Sequence, residues 1–452
     1  MQQRSNFTNK IGFVLAAAGS AVGLGNIWRF PYLAAQYGGG TFLLTYLILT
    51  VTFGFTLMIA EIAIGRKTGL SAIGAYQKLD KRFGFLGVLT ALIPTLIFPY
   101  YSVIGGWVIK YFVTFLAGSM DEAASDSFFG NFISSTGESC FYFFLFVIIT
   151  ASIVFLGVRK GIETVSKLMM PVLVILTIFI AIYVLTLDGA MNGVIYYIKP
   201  DFHNFTPKTI LAAMGQMFYS MSLAMGIMVT YGSYMKKENH MESSVRQIEI
   251  FDTGIAFLAG LMIIPAIFAI NGGVLENKGA GLMFVVLPQV FDRMALGGII
   301  GTVFFLLVLL AALTSSISLM ETIVSIVMDK FHWSRMLSCI IVAVSSLLIG
   351  LTSILGYSVW NHIHLFGDPN TNILDIFDFV ANSVLMPVVA FCTCVLVGFI
   401  LKPKTVSDEV KETDGTFKSE KLFTIMIKWI APVFLVIILV SSIAEAFGFF
   451  HL

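Results

Sequence analysis

Between Lys10 and Tyr32 the chain reads Lys-Ile-Gly-Phe-Val-Leu-Ala-Ala-Ala-Gly-Ser-Ala-Val-Gly-Leu-Gly-Asn-Ile-Trp-Arg-Phe-Pro-Tyr, and a Gly38-Gly39-Gly40 run follows. The stretch is apolar and long enough to cross a bilayer, which takes about 20 such residues. Yet Gly19, Gly23 and Gly25 crowd its middle, and Asn26 and Arg29 stand where a plain anchor would carry Leu. A helix-interior glycine costs ~1 kcal/mol and leaves the backbone free to turn. Non-helical backbone at membrane depth persists only where it is buried in protein or lines a cavity, because hydrocarbon cannot hydrogen-bond it. Two readings stay open at this point. One is a broken helix whose released backbone groups bind a charged ligand; the other is a Gly19-x-x-x-Gly23 packing motif with Asn26 bonding to a neighbouring helix.

The rest of the chain bears on that choice. Of 452 residues, 58% are hydrophobic and 12% charged, about half the charged share of a soluble domain, so the chain reads as a polytopic membrane protein. A net charge of +1 gives no sign of a nucleic-acid partner. The polar first eleven residues lead into an apolar run without a small-residue cleavage pattern, so no cleaved signal is expected. Cys140, Cys339, Cys392 and Cys394 lack zinc spacing and read as packing residues. Eleven spans are expected, at roughly 12–36, 41–65, 86–117, 141–157, 165–187, 209–234, 247–270, 297–327, 336–355, 374–401 and 422–447. With the N-terminus in the cytoplasm, only Arg29, Lys110, Lys199, Lys208, Lys278 and Arg293 of the 27 Lys and Arg fall outside or within spans. That is the positive-inside pattern, and it leaves the C-terminus outside. The outer loop 271–295 mixes glycines with apolar residues and reads as a lid.

Span six has polar and small residues at mid-depth: Gln216, Ser220, Ser222 and Gly226. Spans one and six each begin a group of five, and an odd number of crossings inverts the second group against the first. Interrupted hydrophobic segments at matching places in two halves point to a transporter binding site. The expected architecture is all-α, with two inverted five-helix repeats (12–187 and 209–401), broken helices one and six, and an additional helix at 422–447.

With Gly19–Tyr32, the Gln216…Ser220-x-Ser222 pattern and Ala311-Ala-Leu-Thr-Ser-Ser316 in view, the chain resembles the neurotransmitter:sodium symporter family, and above all its bacterial amino-acid transporters. The resemblance implies sodium-coupled import of an amino acid by alternating access across a bacterial inner membrane. By it, the amides of Leu24 and Gly25 and the Tyr101 hydroxyl meet the substrate carboxylate. Carbonyls of Ala21, Tyr219 and Ser220, with the Ser222 hydroxyl, take the ammonium. Gly23 stands where relatives that carry monoamines have Asp, so the substrate brings its own carboxylate. Ile97, Tyr101, Tyr219, Ser222, Met225, Ser315 and Leu319 shape an apolar pocket with polar spots, suited to a neutral aliphatic or aromatic side chain. Ala224 stands where relatives often have Gly, which restricts how far span six unwinds.

The resemblance also implies two sodium sites and no organic cofactor. The first sodium falls to Ala21, Asn26, Ser220 and Asp252, and the second to Gly19, Val22, Ala311, Thr314 and Ser315. For Thr314 and Ser315, back-bonding to their own helix is the competing reading. Animal relatives have Asn in place of Asp252 and bind chloride beside the first sodium, where this chain has Tyr46, Gln216 and Ser220. The carboxylate that bacterial relatives place one turn onward is here Ala256. Asp252 brings negative charge into the cluster itself, so transport is expected to be chloride-independent; an ungapped register puts Phe251 there instead. Arg29 and Asp378 resemble an outer gate, with Tyr101 and Tyr219 beneath. Arg4 and Asp329 resemble an inner one, supported by Phe7, Ser233 and Tyr234. The partners implied are a small-molecule amino acid and membrane lipid, with oligomeric state left open. A channel would show a repeated filter loop or rings of like charge, a sensor would need a signalling domain, and no His-Glu-x-x-His or Gly-x-Ser-x-Gly argues for an enzyme.

Overall fold

Asn9 starts the first helix. Its side chain accepts the Gly12 N–H at 2.9 Å, and Lys10–Ala21 (α1) follows before the helix fails. Val22 is extended (φ −76°, ψ 97°), and the chain resumes as Gly25–Gln36 (α2), bent by 52° from α1. This computed structural model describes residues 6–272, 281–364 and 371–447. Within them the chain is helices and connecting loops, with one isolated bridge between Gly39 and Pro200.

Onward from α2 the main helices are Gly40–Thr68 (α3), Ala72–Leu79 (α4), Lys81–Leu116 (α5), Thr136–Phe155 (α6), Val158–Leu185 (α7), Ala190–Ile198 (α8), Pro207–Ser220 (α9) and Ile227–Ser233 (α10). There follow Met241–Ile270 (α11), Leu282–Asp292 (α12), Gly297–Phe331 (α13), Arg335–Gly356 (α14), Ile373–Ile400 (α15), Lys404–Asp414 (α16) and Glu420–Ala444 (α17). Among the described residues nine helices are long and apolar enough to cross a membrane, and the bent α1–α2 pair brings the number to ten. The remaining expected span, 209–234, is divided between α9 with 14 residues and α10 with 7. Neither piece is long enough to cross alone.

Two long helices, α5 and α13, run together through the core and carry Ile97, Tyr101, Thr314, Ser315 and Leu319 toward the breaks. The loop between α11 and α13 folds back as α12, whose Leu282, Phe284 and Leu287 are buried. Its Phe284 ring stacks on Phe129 at 5.1 Å, and the Tyr111 hydroxyl donates to the Phe284 carbonyl at 2.6 Å. Residues 273–280 of that loop lie outside the described residues.

In hydrocarbon, helices associate through close packing rather than water exclusion, and small residues allow the closest approach. The α3–α10 contact uses this. A Cβ on Gly65 would stand 1.9 Å from the Val229 carbonyl oxygen, and one on Gly232 2.4 Å from that of Ile62. Both obstacles are backbone, so neither can swing aside. The second half of span six, α10, is thereby held to span two. Gly65→Ala is expected to destabilise the detergent-solubilised protein by roughly 2–3 kcal/mol through overpacking, seen as a lower melting temperature. Gly254→Ala, with open space around it, should leave that temperature unchanged.

Candidate functional site

Both breaks open onto one small cavity of about 30 Å³. Ala21, Gly23, Leu24 and Gly25 reach it from the first break. Tyr219, Ser220, Ser222 and Met225 reach it from the second, and Ile97, Tyr101, Ser315 and Leu319 from the long helices. The structure thus gathers at one place every residue the resemblance implied as a substrate contact. Ser20 and Ile227 line the cavity too; the sequence reading missed them, and the only signal was their position beside each break.

The backbone at the first break is held by side chains. Asn26 accepts the Gly23 N–H at 3.1 Å, Tyr101 accepts that of Leu24 at 3.4 Å, and Gln216 donates to the Gly25 carbonyl at 2.7 Å. The Ser20 carbonyl accepts from Ser222 and Ser315, each at 3.0 Å. At the second break three residues lie in the left-handed region: Ser222 (φ 54°), Ala224 (φ 61°) and Gly226 (φ 74°). The first two carry a Cβ, which costs of order 1 kcal/mol or more each in that conformation. The buried Glu61 carboxylate of α3 holds this turn by accepting the Ala224 N–H at 2.7 Å.

Asp252 is fully buried and turned into the same region. Its carboxylate accepts from Asn26 (2.7 Å), Ser220 (2.7 Å) and Tyr46 (2.9 Å), while Asn26 also donates to its carbonyl at 3.0 Å. Of the two registers open from sequence, the structure directs Asp252 to the break. Phe251 packs against the hydrophobic core. Asn26, Ser220 and Asp252 therefore meet at one oxygen-rich point, and Ser220 shares the adjoining cavity with Ala21.

The second expected cation group is more divided. Thr314 donates weakly to the Val22 carbonyl at 3.5 Å and to carbonyls of its own helix, Ala311 at 3.0 Å and Leu310 at 3.2 Å. Back-bonding and proximity to the first break are both present. A Cβ on Gly19 would be 3.4 Å from the Thr314 Cβ, so Gly19, Val22, Ala311 and Thr314 form one neighbourhood. Ser315 instead turns its hydroxyl to the Ser20 carbonyl, on the cavity side. The donors at both points are carbonyl, hydroxyl, amide and carboxylate oxygens, the ligand type that hard cations take.

The outer gate departs from expectation. Arg29 and Asp378 form no ion pair: the Arg29 guanidinium lies over the Tyr219 ring, 5.2 Å from its centroid, as a cation–π contact. Asp378 is taken up by Tyr100 (3.0 Å) and Asn382 (2.6 Å), neutral donors that satisfy the carboxylate without a cation. On the inner side Arg4 lies outside the described residues. Asp329 accepts from the Ser71 N–H (2.8 Å) and hydroxyl (2.5 Å). Phe7 is fully buried, its N–H donating to the Tyr234 carbonyl at 3.2 Å and its ring edge-on to Tyr231 and Tyr234. Ser233 bonds within its own helix, to the Thr230 carbonyl. The Tyr234 hydroxyl donates to Glu321 at 2.8 Å, and Glu321 is ion-paired with Arg335. Sequence reasoning missed Glu61 and Glu321, although a carboxylate within a span is a signal in itself.

A helical membrane protein with two opposed helix breaks, enclosing a cavity beside buried oxygen clusters, is built as an ion-coupled transporter. The sodium:neurotransmitter symporter family model matches residues 4–127 and 122–448, and the chain belongs to that family, whose members are transporters and not enzymes. It is 35% identical over 458 residues to the uncharacterized sodium-dependent transporter YhdH of Bacillus subtilis, covering 98% of each chain. A sodium-dependent transporter of Haemophilus influenzae is 32% identical over 461 residues, covering 98% of this chain and 99% of that one. Among solved structures, MhsT in complex with L-phenylalanine superposes with a TM-score of 0.88 at 38% identity, covering 97% of this chain and 100% of that one.

The tight fit at Gly23 gives a test of the site. A Cβ there would stand 2.4 Å from the Ser315 hydroxyl and 3.2 Å from that of Tyr101. Gly23→Ala is expected to weaken sodium-dependent amino-acid binding ~10-fold, the effect of about 1.4 kcal/mol of crowding. A scintillation proximity assay with the labelled amino acid checks this.

Proposed function

We propose that this protein imports a neutral hydrophobic L-amino acid, aliphatic or aromatic, by symport with sodium, without a requirement for chloride. The observation that carries this reading is the Asp252 carboxylate, buried at the first break among Asn26, Ser220 and Tyr46. A buried carboxylate is stable only when hydrogen-bonded and paired with a cation or a proton. Here it supplies the negative charge that chloride-dependent relatives draw from solution. The amides of Leu24 and Gly25, at the positive end of α2, receive the substrate carboxylate, with Tyr101 as a further donor. The first sodium sits with Ala21, Asn26, Ser220, Asp252 and that carboxylate, which couples ion to substrate by direct contact. The second binds at Gly19, Val22, Ala311 and Thr314, with Ser315 completing the set on rotation of its hydroxyl.

The mainly apolar lining from Ile97, Met225, Ile227 and Leu319 supports the choice of side chain, as does the phenylalanine named with MhsT. The two groups of five spans form inverted repeats that rock about this site, with the N-terminus in the cytoplasm of a bacterial cell and the C-terminus outside. Sodium favours the outward-open state. Release of the second sodium frees α1 to swing inward, parting the contacts around Phe7, Tyr234 and Asp329. On the outer side Arg29 and Asp378 act as a gate through Tyr219 and Tyr100.

Uptake of a radiolabelled amino-acid panel into proteoliposomes tests the proposal. An inward sodium gradient should drive accumulation of hydrophobic amino acids equally in chloride and gluconate. Asp252→Asn should make the same uptake fall at least ~10-fold in gluconate while chloride sustains it. Accumulation that needs no sodium would refute the symport reading, and wild-type uptake that needs chloride would refute the role of Asp252. Ala224→Gly relieves a left-handed alanine, worth ~1 kcal/mol. It is expected to raise the ratio of tryptophan to leucine uptake in competition assays.

A further inference from the structure

The connection between α15 and α17 is not a slack loop. Its helix α16 lies against the inner ends of spans two, six and seven, and buries Val406, Ser407, Glu409 and Val410. The contact centres on one ion pair. Arg66, at the inner end of α3, has a fully buried side chain, and its Nε donates to Glu409 Oε1 at 2.9 Å. The same guanidinium reaches the Glu409 carbonyl and, at 3.0 Å, the Asn239 carbonyl in the loop after α10. Lys237 of that loop donates to Glu409 at 2.5 Å and to Glu412 at 2.9 Å, and its carbonyl accepts from Thr413 at 2.5 Å. Glu409 thus joins span two, the end of span six and the strap at a single carboxylate that is 3% exposed.

The strap continues along span seven. Asp414 accepts from the Glu242 N–H at 3.0 Å and meets His240 at 2.8 Å. The Glu242 carboxylate accepts the N–H groups of Lys418 and Ser419, both at 3.0 Å, and Arg246 donates to the Ser419 hydroxyl at 3.1 Å. These bonds form while the inner face is shut, with Phe7 buried against Tyr231 and Tyr234. The α3–α10 pair, locked by Gly65 and Gly232, is therefore tied through the strap to α15 and α17.

We propose that the 402–419 strap is a cytoplasmic latch that holds the inner face shut, and that Glu409 is its positioning residue. It acts through Arg66 and Lys237 on the inner half of span six, and touches neither substrate nor sodium. Loosening the latch shifts the population toward the inward-open state, so sodium must work against a larger inward-open share and its apparent affinity falls. The direction of that shift rests on the symport reading above.

Glu409→Gln keeps the shape and removes the charge. Hydrogen exchange of the 236–242 amides should rise ~10-fold over wild type in sodium-free potassium buffer, and stay within twofold of wild type with sodium and substrate bound. Apparent KM for sodium should rise ~5-fold in proteoliposomes, with Vmax within twofold. Glu409→Asp, which retains the charge, should restore part of both effects. Equal loss of protection with and without sodium would reduce Glu409 to a structural brace and overturn the latch, as would unchanged exchange together with unchanged KM. If the wild type accumulates no amino acid, the symport reading fails, while a potassium-specific rise in exchange still supports the latch. If Glu409→Gln does not fold, Lys237→Gln, which leaves Arg66 paired, is expected to give the same sodium-dependent pattern, and its absence there would overturn the latch.

Discussion

Hydrocarbon cannot hydrogen-bond a peptide group, and the architecture follows from how this chain meets that constraint at two places where helix is given up. Around residues 22–24 and 221–226 the freed backbone finds side chains from elsewhere in the bundle. Tyr101 and Asn26 take amides of the first break, Gln216 reaches the Gly25 carbonyl, and Ser222 and Ser315 share the carbonyl of Ser20. Glu61 holds the amide of Ala224. Backbone that is satisfied in this way can also be offered to a ligand, which is what an apolar anchor helix cannot do. The long helices α5 and α13 are the frame on which both breaks are propped.

Burying charge is the second demand, and three carboxylates meet it differently. Asp252 collects three neutral donors beside the break. Glu321 is paired with Arg335 on the inner side and also receives Tyr234. Glu409 is clamped by Arg66 and Lys237 beneath the inner ends of the spans. Removing one partner of a buried ion pair such as Arg66–Glu409 strands the other and costs roughly 3–5 kcal/mol, so such a cluster is a place where a conformation can be held or released as a unit. In the reading advanced here, sodium and substrate act on the first, and inner opening acts on the other two.

Much of this is legible in the amino-acid sequence. The glycines and Asn26 of the first span announced a break, and the residues implied around it converge on one cavity. The break in span six was harder to see, because two of its three left-handed positions are Ser222 and Ala224, with no glycine to mark them. The outer charges misled: Arg29 and Asp378 are both present, but an aromatic ring and neutral donors occupy them. The latch was invisible for another reason. Arg66 and Glu409 are 343 residues apart, and a cluster of lysines between two spans reads as orientation signal until the fold brings its partners together.

Equilibrium binding of labelled phenylalanine to the purified protein, in sodium and then in potassium at matched ionic strength, tests the central claim most directly. It asks whether the two breaks form a site completed by the ion. The account predicts saturable binding in sodium that Asp252→Ala removes, and at least ~100-fold weaker binding in potassium, as expected when the substrate carboxylate is itself a ligand of the ion. Equal affinity in both salts would show that amino acid and sodium do not share the site, and would contradict it.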